Sequence, residues 1–184
     1  MSKIISAVPN ICEAQDVQFI EFLTTKLKSV PGLVILDVSR DTERNRTVMS
    51  FTGEPDVIKE AGYILYEECL EKIDMREHEG AYPRIGAVDV FPFVPLKDVR
   101  IAEADALAKE FAAEIAKRFD IPVYLFGESA NFPNRRNIEN IREGEYEGLE
   151  EKLRDPHWKP DYGPYGFNAE AGATVIGARD FLLA

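Results

Sequence analysis

Val17, Phe19, Ile20, Phe22, Leu23 and Leu27 recur at helical spacing, which predicts one broad-faced helix over residues 16–27, ended by Pro31-Gly32. Ahead of it, KIISAV at residues 3–8 reads as a strand interrupted at Pro9-Asn10. LVILDVS is a continuous apolar run that predicts a covered strand, with TVMSFTG as its antiparallel partner. Joined by the polar tip RDTERNR, the two predict an antiparallel ribbon. Gly53-Glu54-Pro55 opens a second helix over 56–73, with Val57, Ala61, Ile64 and Leu65 toward the core. GAVDVFPF is then a strand, and IAEADALAKEFAAEIAKRF carries an alanine-rich helix over 99–118 that can approach a sheet closely. IPVYLFG and ATVIGA supply two more strands, with short helices and loops between them.

The order β-α-β-β-α-β-α-β predicts an α+β fold: a ferredoxin-like α/β sandwich with a mostly antiparallel sheet and its helices on one face. With 184 residues and 45% hydrophobic composition, one domain over 1–184 is expected.

Charge narrows the function. The 22 Lys and Arg against 33 Asp and Glu give a net charge of −11, which disfavours nonspecific binding to nucleic acid or anionic lipid while leaving room for a local anion pocket. No apolar run approaches the ~20 residues of a membrane span. Cys12 and Cys69 have no ligand spacing, and MSKIISAVPN meets Pro and Asn before any export-signal core develops, so a cytoplasmic protein is expected. The chain contains no dinucleotide fingerprint, no phosphate-binding loop of the Walker type, no H-E-x-x-H and no C-x-x-C. His78 and His157 have no diagnostic metal spacing, and no metal site is expected. His157, in RDPHWKPD, reads as a turn residue.

Several polar residues sit where ligands are commonly held. Asn10 follows the first strand and either caps a turn or grips a ligand. Arg46, beside Asn45, can hold a carboxylate bidentately or be neutralised by Asp41 or Glu43. Arg84 lies in the YPRIG turn, where Gly86 permits close backbone approach. Asp89, inside a strand, needs a partner if it faces the core. GESANFPNRR offers Gly127, Glu128 and the positive pair Arg135-Arg136, or is simply a charged loop. Phenols ionise near pH ~10, so Tyr82 suits hydrogen bonding or stacking on a flat ligand better than proton abstraction.

Taken together, AVPN at 7–10, NRTV at 45–48, PRIGAVDVFPFVP at 83–95, PVYLFGESA at 122–130 and GATVIGARDFLLA at 172–184 resemble the N-terminal subdomain of glutamate formiminotransferase. The resemblance runs from about residue 3 to the C-terminus. It implies transfer of a formimino group from formiminoglutamate to tetrahydrofolate, as in histidine degradation and one-carbon metabolism, in a folate groove between two α/β subdomains. Asn10, Asn45, Arg46, Arg84 and Gly86 fall on matching positions and are the implied folate-binding set. Two departures stand at the catalytic positions. The family's catalytic histidine, two residues before the Arg of its H-P-R-x-G-A turn, is Tyr82 here, and its supporting aspartate is Ser39. The first loop also differs, reading Val8-Pro9-Asn10-Ile11-Cys12-Glu13-Ala14 against V-P-N-F-S-E-G.

Formimino transfer needs a group that takes a proton from the attacking amine and a donor that steadies the tetrahedral centre. A His-Asp pair does this near neutral pH, whereas Tyr82 with Ser39 donates or relays hydrogen bonds. His78, four residues earlier, is a possible substitute base. The family's groove is closed by a second subdomain, so a homodimer or a separate second subdomain is the expected partner. Three readings stay open: an enzyme with altered chemistry, a noncatalytic folate-binding or regulatory protein, and a structural partner. The catalytic one expects Tyr82, Asn10 and Arg84 to converge on one concavity.

Overall fold

The computed structural model describes residues 2–181. Its first strand comes in two pieces, β1 (Ile4–Ala7) and β2 (Asn10–Ile11), because Pro9 has no N–H to give the ladder. The Pro9 carbonyl still accepts the Met49 N–H at 3.0 Å. Both pieces lie between β4 (Arg46–Gly53) and β5 (Val88–Lys97), antiparallel to each. β3 (Val34–Asp41) pairs with the outer edge of β4, forming the expected ribbon, but it is an edge strand with Val34 and Leu36 exposed and not the covered strand its apolar run predicts. Beyond β5 the sheet turns parallel through β7 (Thr174–Ala178) to β6 (Val123–Leu125). The α+β class and the predominance of antiparallel pairs agree with the sequence pattern.

Three long helices pack on one face. In α1 (Val17–Lys28), Asp16 caps the first turn by accepting the Phe19 N–H at 3.0 Å. Its buried stripe is Phe19, Ile20, Leu23 and Leu27. Val17 and Phe22 fall outside that stripe and are 40% and 51% exposed, so the core-facing surface is narrower than the pattern suggests. α2 (Pro55–Lys72) begins with proline in its first turn, where a missing N–H costs nothing. Gly62 lets it meet α3 (Ile101–Phe119), since a Cβ there would fall 2.5 Å from the Phe111 ring. α3 buries Ala104, Ala108, Ala112 and Ala116 and sets Phe111 against Phe91 and Phe93, with centroids at 4.8 and 5.3 Å. Among the described residues no helix is long and apolar enough to cross a membrane.

The opposite face differs from the expected single helical layer. Residues 126–173, including α4 (Ile138–Arg142) and α5 (Leu149–Lys152), fold back over β5, β7 and β6. There Val90, Tyr124, Phe126 and Val175 build a second core with Ile141, Leu149 and Leu153. Four-to-five-residue helices and 3-10 turns leave little periodicity to read, which is why this layer was not foreseen. Among the described residues nothing covers the β1–β4–β3 half of the same face, where Leu36 is 59% exposed and the nearby Phe181 64%.

Candidate functional site

The uncovered half-sheet provides a floor. Ser39 stands opposite Val48, Val48 opposite Asn10, and Asn10 opposite Val90. Directly opposed residues of antiparallel strands share a face. Because Val90 belongs to the second core, the whole row points away from the long helices. Its Val90 end is roofed, while Ser39 is exposed and Val48 and Asn10 are half-buried. Asn10 donates its amide to the Val8 carbonyl at 3.1 Å, leaving its Oδ1 without a partner among the described residues.

The edge of the roof provides a wall. Tyr82, Pro83, Glu139, Asn140 and residues 142–145 line a cleft of about 540 Å³. Three guanidiniums surround the half-buried Tyr82 ring, with Arg46 at 4.1 Å, Arg44 at 5.0 Å and Arg142 at 5.8 Å from its centroid. They are not equivalent. Arg44 leans on Asp41 at 3.5 Å. Arg142 is bound to Asp89, Nε to Oδ2 at 2.9 Å, while Asp89 Oδ1 accepts the Ile85 N–H at 2.7 Å. Arg46 makes no ion pair within 4.0 Å among the described residues, although Asp41 stands directly across the β3–β4 ladder from it. The cluster sets three guanidiniums beside an aromatic ring, while the cleft lining also carries the carboxylates Glu139, Glu143 and Glu145.

A second layer of polar residues stiffens this wall from behind. Arg84 is buried, and its fork meets both oxygens of Glu147 at 2.8 Å. The contact raises the arginine's pKa and lowers the carboxylate's. Arg84 Nε donates to His78 Nδ1 at 3.1 Å, which fixes the other ring nitrogen as the donor to the Asn45 carbonyl at 2.9 Å. Burial holds His78 below its ordinary pKa of 6.5, and both its nitrogens are occupied, so a swing toward the cleft would break two buried bonds. Asn45, in the left-handed region at φ 50°, accepts the Ala14 N–H at 2.9 Å and donates to the Glu79 carbonyl at 3.3 Å. Gly86 serves a backbone crossing, since a Cβ there would lie 1.8 Å from the Ala173 carbonyl oxygen.

The structure therefore sorts the candidates. Tyr82, Arg46, Asn10 and Ser39 belong to the open floor and wall, whereas Arg84, Asn45 and Gly86 are buried in the scaffold behind them. No hydrogen bond joins Tyr82 to Ser39 among the described residues. Arg135, from the second candidate loop, is buried against Asp161 and the carbonyls of His157 and Lys159. Arg136 and Glu128 pair on the surface at 2.7 Å, and His157 is an exposed turn residue beside Asp155. Cys12 and Cys69 are both free and buried, and burial pushes both thiols up. Arg142, Glu147 and the 139–145 wall were missed. Asp89 in an apolar strand required a cation, but nothing in local spacing distinguished Arg142 from Arg135 or Arg136.

Comparison with known proteins bears on this arrangement. Residues 4–179 match the formiminotransferase domain, N-terminal subdomain. The chain belongs to that formiminotransferase subdomain family. It is 42% identical to formimidoyltransferase-cyclodeaminase of Rattus norvegicus over all of this chain and 34% of the rat protein. Glutamate formimidoyltransferase of Streptococcus pyogenes is 41% identical, again over all of this chain and 62% of that protein. The Thermoplasma acidophilum glutamate formimidoyltransferase is 38% identical over 98% of this chain and 60% of its own length. The chain thus spans about a third of the fused relatives and about three-fifths of the single-function ones. Tyr82 heads the turn Tyr82-Pro83-Arg84-Ile85-Gly86-Ala87 within the matched span.

Proposed function

We propose that this chain forms one side of a formiminotransferase-like groove that takes a tetrahydrofolate or formimino compound against the open half-sheet. The observation that carries the reading is Arg46, without an ion pair among the described residues, stacked on Tyr82 two residues along β4 from Val48 in the Asn10–Val48–Ser39 row. A reduced folate has a flat polar ring system and glutamyl carboxylates. Tyr82 and Val48 offer ring and aliphatic surface to the first, Arg46 a fork to the second, and Asn10 and Ser39 hydrogen-bonding groups to its edge. The residues present fit such a ligand.

In this reading Tyr82 and Ser39 orient the formimino group by hydrogen bonds, and any proton leaves the attacking amine to solvent or to the ligand itself. A second reading, folate binding without turnover, has its own support: His78 is pinned in the scaffold and supplies no replacement base. The exposed apolar residues Leu36, Leu96 and Phe181 favour cover by another sheet, either a second copy of the chain or a separate second subdomain. The two buried free thiols agree with a cytoplasmic site of action.

Calorimetric titration of tetrahydrofolate and its 5-formyl analogue under reducing conditions tests the groove, and incubation with formiminoglutamate tests transfer. Saturable heat for either ligand is expected, with transfer slow. Binding with no transfer selects the second reading. No heat at protein concentrations that sustain self-association would overturn both.

A further inference from the structure

Lys152 lies outside every motif considered so far, yet it reaches the wall of the cleft. Its Nζ donates to the backbone carbonyls of Asn140, Ile141 and Glu143 at 3.1, 2.7 and 2.8 Å and sits 4.1 Å over the Trp158 ring. The last carbonyls of a helix have no partner within it, so Lys152 closes the C-terminal end of α4 with a cation, where the helix dipole is negative. The turn that follows is strained. Gly144 has φ 88°, and Glu145 adopts φ 57° with ψ −169°, a region suited to glycine alone. Such a turn persists only where its surroundings hold it, and these same residues line the cleft.

We infer that Lys152 is the positioning residue of the cleft wall: it fixes the end of α4 and the 143–145 turn, and so the Arg142 guanidinium that faces Tyr82. The inference rests on the proposed function only in assigning the cleft to a ligand, and its test reads the wall with no ligand present. Burial is the main influence on the ammonium and lowers its pKa to about 8; nearby Glu143 opposes that shift and Arg135 adds to it. When the wall opens, Lys152 enters water, where lysine titrates near ~10.4. Between about 8 and ~10.4 the open form binds more protons than the closed one, so closure strengthens as pH rises through that window, the neutral amine keeping two of its three carbonyl contacts while shedding the cost of a buried charge.

Trp158 is the chain's sole tryptophan, so its emission reports on Lys152 directly. Emission and amide exchange at residues 139–145, corrected for intrinsic rates, are measured from pH 7 to 10 on the full chain and on Lys152→Met and Lys152→Arg. In the wild type, Trp158 emission is expected to titrate near pH 8, and protection of 139–145 to rise by up to about tenfold per pH unit above it. Lys152→Met speeds exchange there by at least about tenfold without affecting α1 to α3. Lys152→Arg keeps the protection but loses the pH dependence, because guanidinium stays charged. A flat wild-type profile, or native exchange at 139–145 in Lys152→Met, overturns the inference. If Lys152→Met does not fold, the wild-type profile and Lys152→Arg decide it.

Discussion

The guanidinium carbon of Arg46 lies 4.1 Å from the centre of the Tyr82 ring, with no carboxylate claiming the cation among the described residues. An exposed cation–π contact is worth about 0.5–1 kcal/mol, which holds the fork in place without neutralising it. Arg46→Ala is therefore expected to weaken binding of 5-formyltetrahydrofolate by roughly tenfold, the loss of one charge-assisted contact of ~1.4 kcal/mol or more. Tyr82→Phe keeps the ring under Arg46 and removes only the hydroxyl, so it should cost less. Calorimetry on both variants checks the order, and equal affinity of Arg46→Ala and wild type would remove Arg46 from the site.

Tyr82→His with Ser39→Asp is expected to raise formimino transfer above the wild-type level. Ser39 is exposed on β3 directly opposite Val48, two residues along β4 from the Arg46 that carries Tyr82, so the new side chains share one face. An imidazole takes up a proton near neutral pH, and a carboxylate supports its charged form, in a step where general-base catalysis contributes about 10²–10⁴-fold. Single-turnover assays on both single variants and the double variant would show whether the gain needs the pair. No gain in the double variant, with folate still bound, would mean that the chain no longer aligns the formimino carbon.

Asp89→Ala should destabilise the fold by about 3–5 kcal/mol, because it leaves the buried Arg142 cation and the Ile85 N–H without acceptors. Urea unfolding measures this directly. Arg142→Met is expected to do less harm to the backbone, since Asp89 keeps the Ile85 bond, but it should loosen Tyr82. A loss near 1 kcal/mol for Asp89→Ala would show that water reaches the pair.

Asp89 also shows how much of the molecule was legible in its sequence. A carboxylate in the run GAVDVFPF required a partner if it faced the core, and the apolar run around it read as a buried strand, because both follow from local composition and desolvation. The elements through β5 were readable from local pattern in the same way. The second layer over β5–β7–β6 was not. Its helices, Ile138–Arg142 and Leu149–Lys152, are too short to show a period, and it is held by contacts distant in sequence, such as Arg142 to Asp89 and Arg135 to Asp161. Among the candidate residues, Tyr82 read as a turn residue and Arg46 as the polar lead-in to a strand, and the fold leaves both half-buried. Arg84 looked equally available, and only the fold reveals Glu147 in its fork.

His78 gives the last prediction, and its direction is fixed by linkage. Burial, the leading influence, keeps its folded pKa below the ordinary 6.5, against the bond to the Asn45 carbonyl, which acts the other way. Below pH 6.5 the unfolded chain therefore takes up a proton at this residue before the folded chain does, and stability falls as pH drops toward the folded pKa. The slope cannot exceed about 1.4 kcal/mol per pH unit for one group. Glu147, whose pKa Arg84 lowers, adds a loss of the same sign only further down, in the carboxylate range below ~4.3. His78→Gln can donate to Asn45 and accept from Arg84 without titrating, so it isolates the first step. In urea unfolding at pH 7.5, 6.5, 5.5 and 4.5, the wild type should lose stability relative to His78→Gln between 6.5 and 5.5, with the two curves parallel above 6.5. Parallel curves throughout would show that the imidazole charges in place, and would return His78 to the set of groups able to move protons at the cleft.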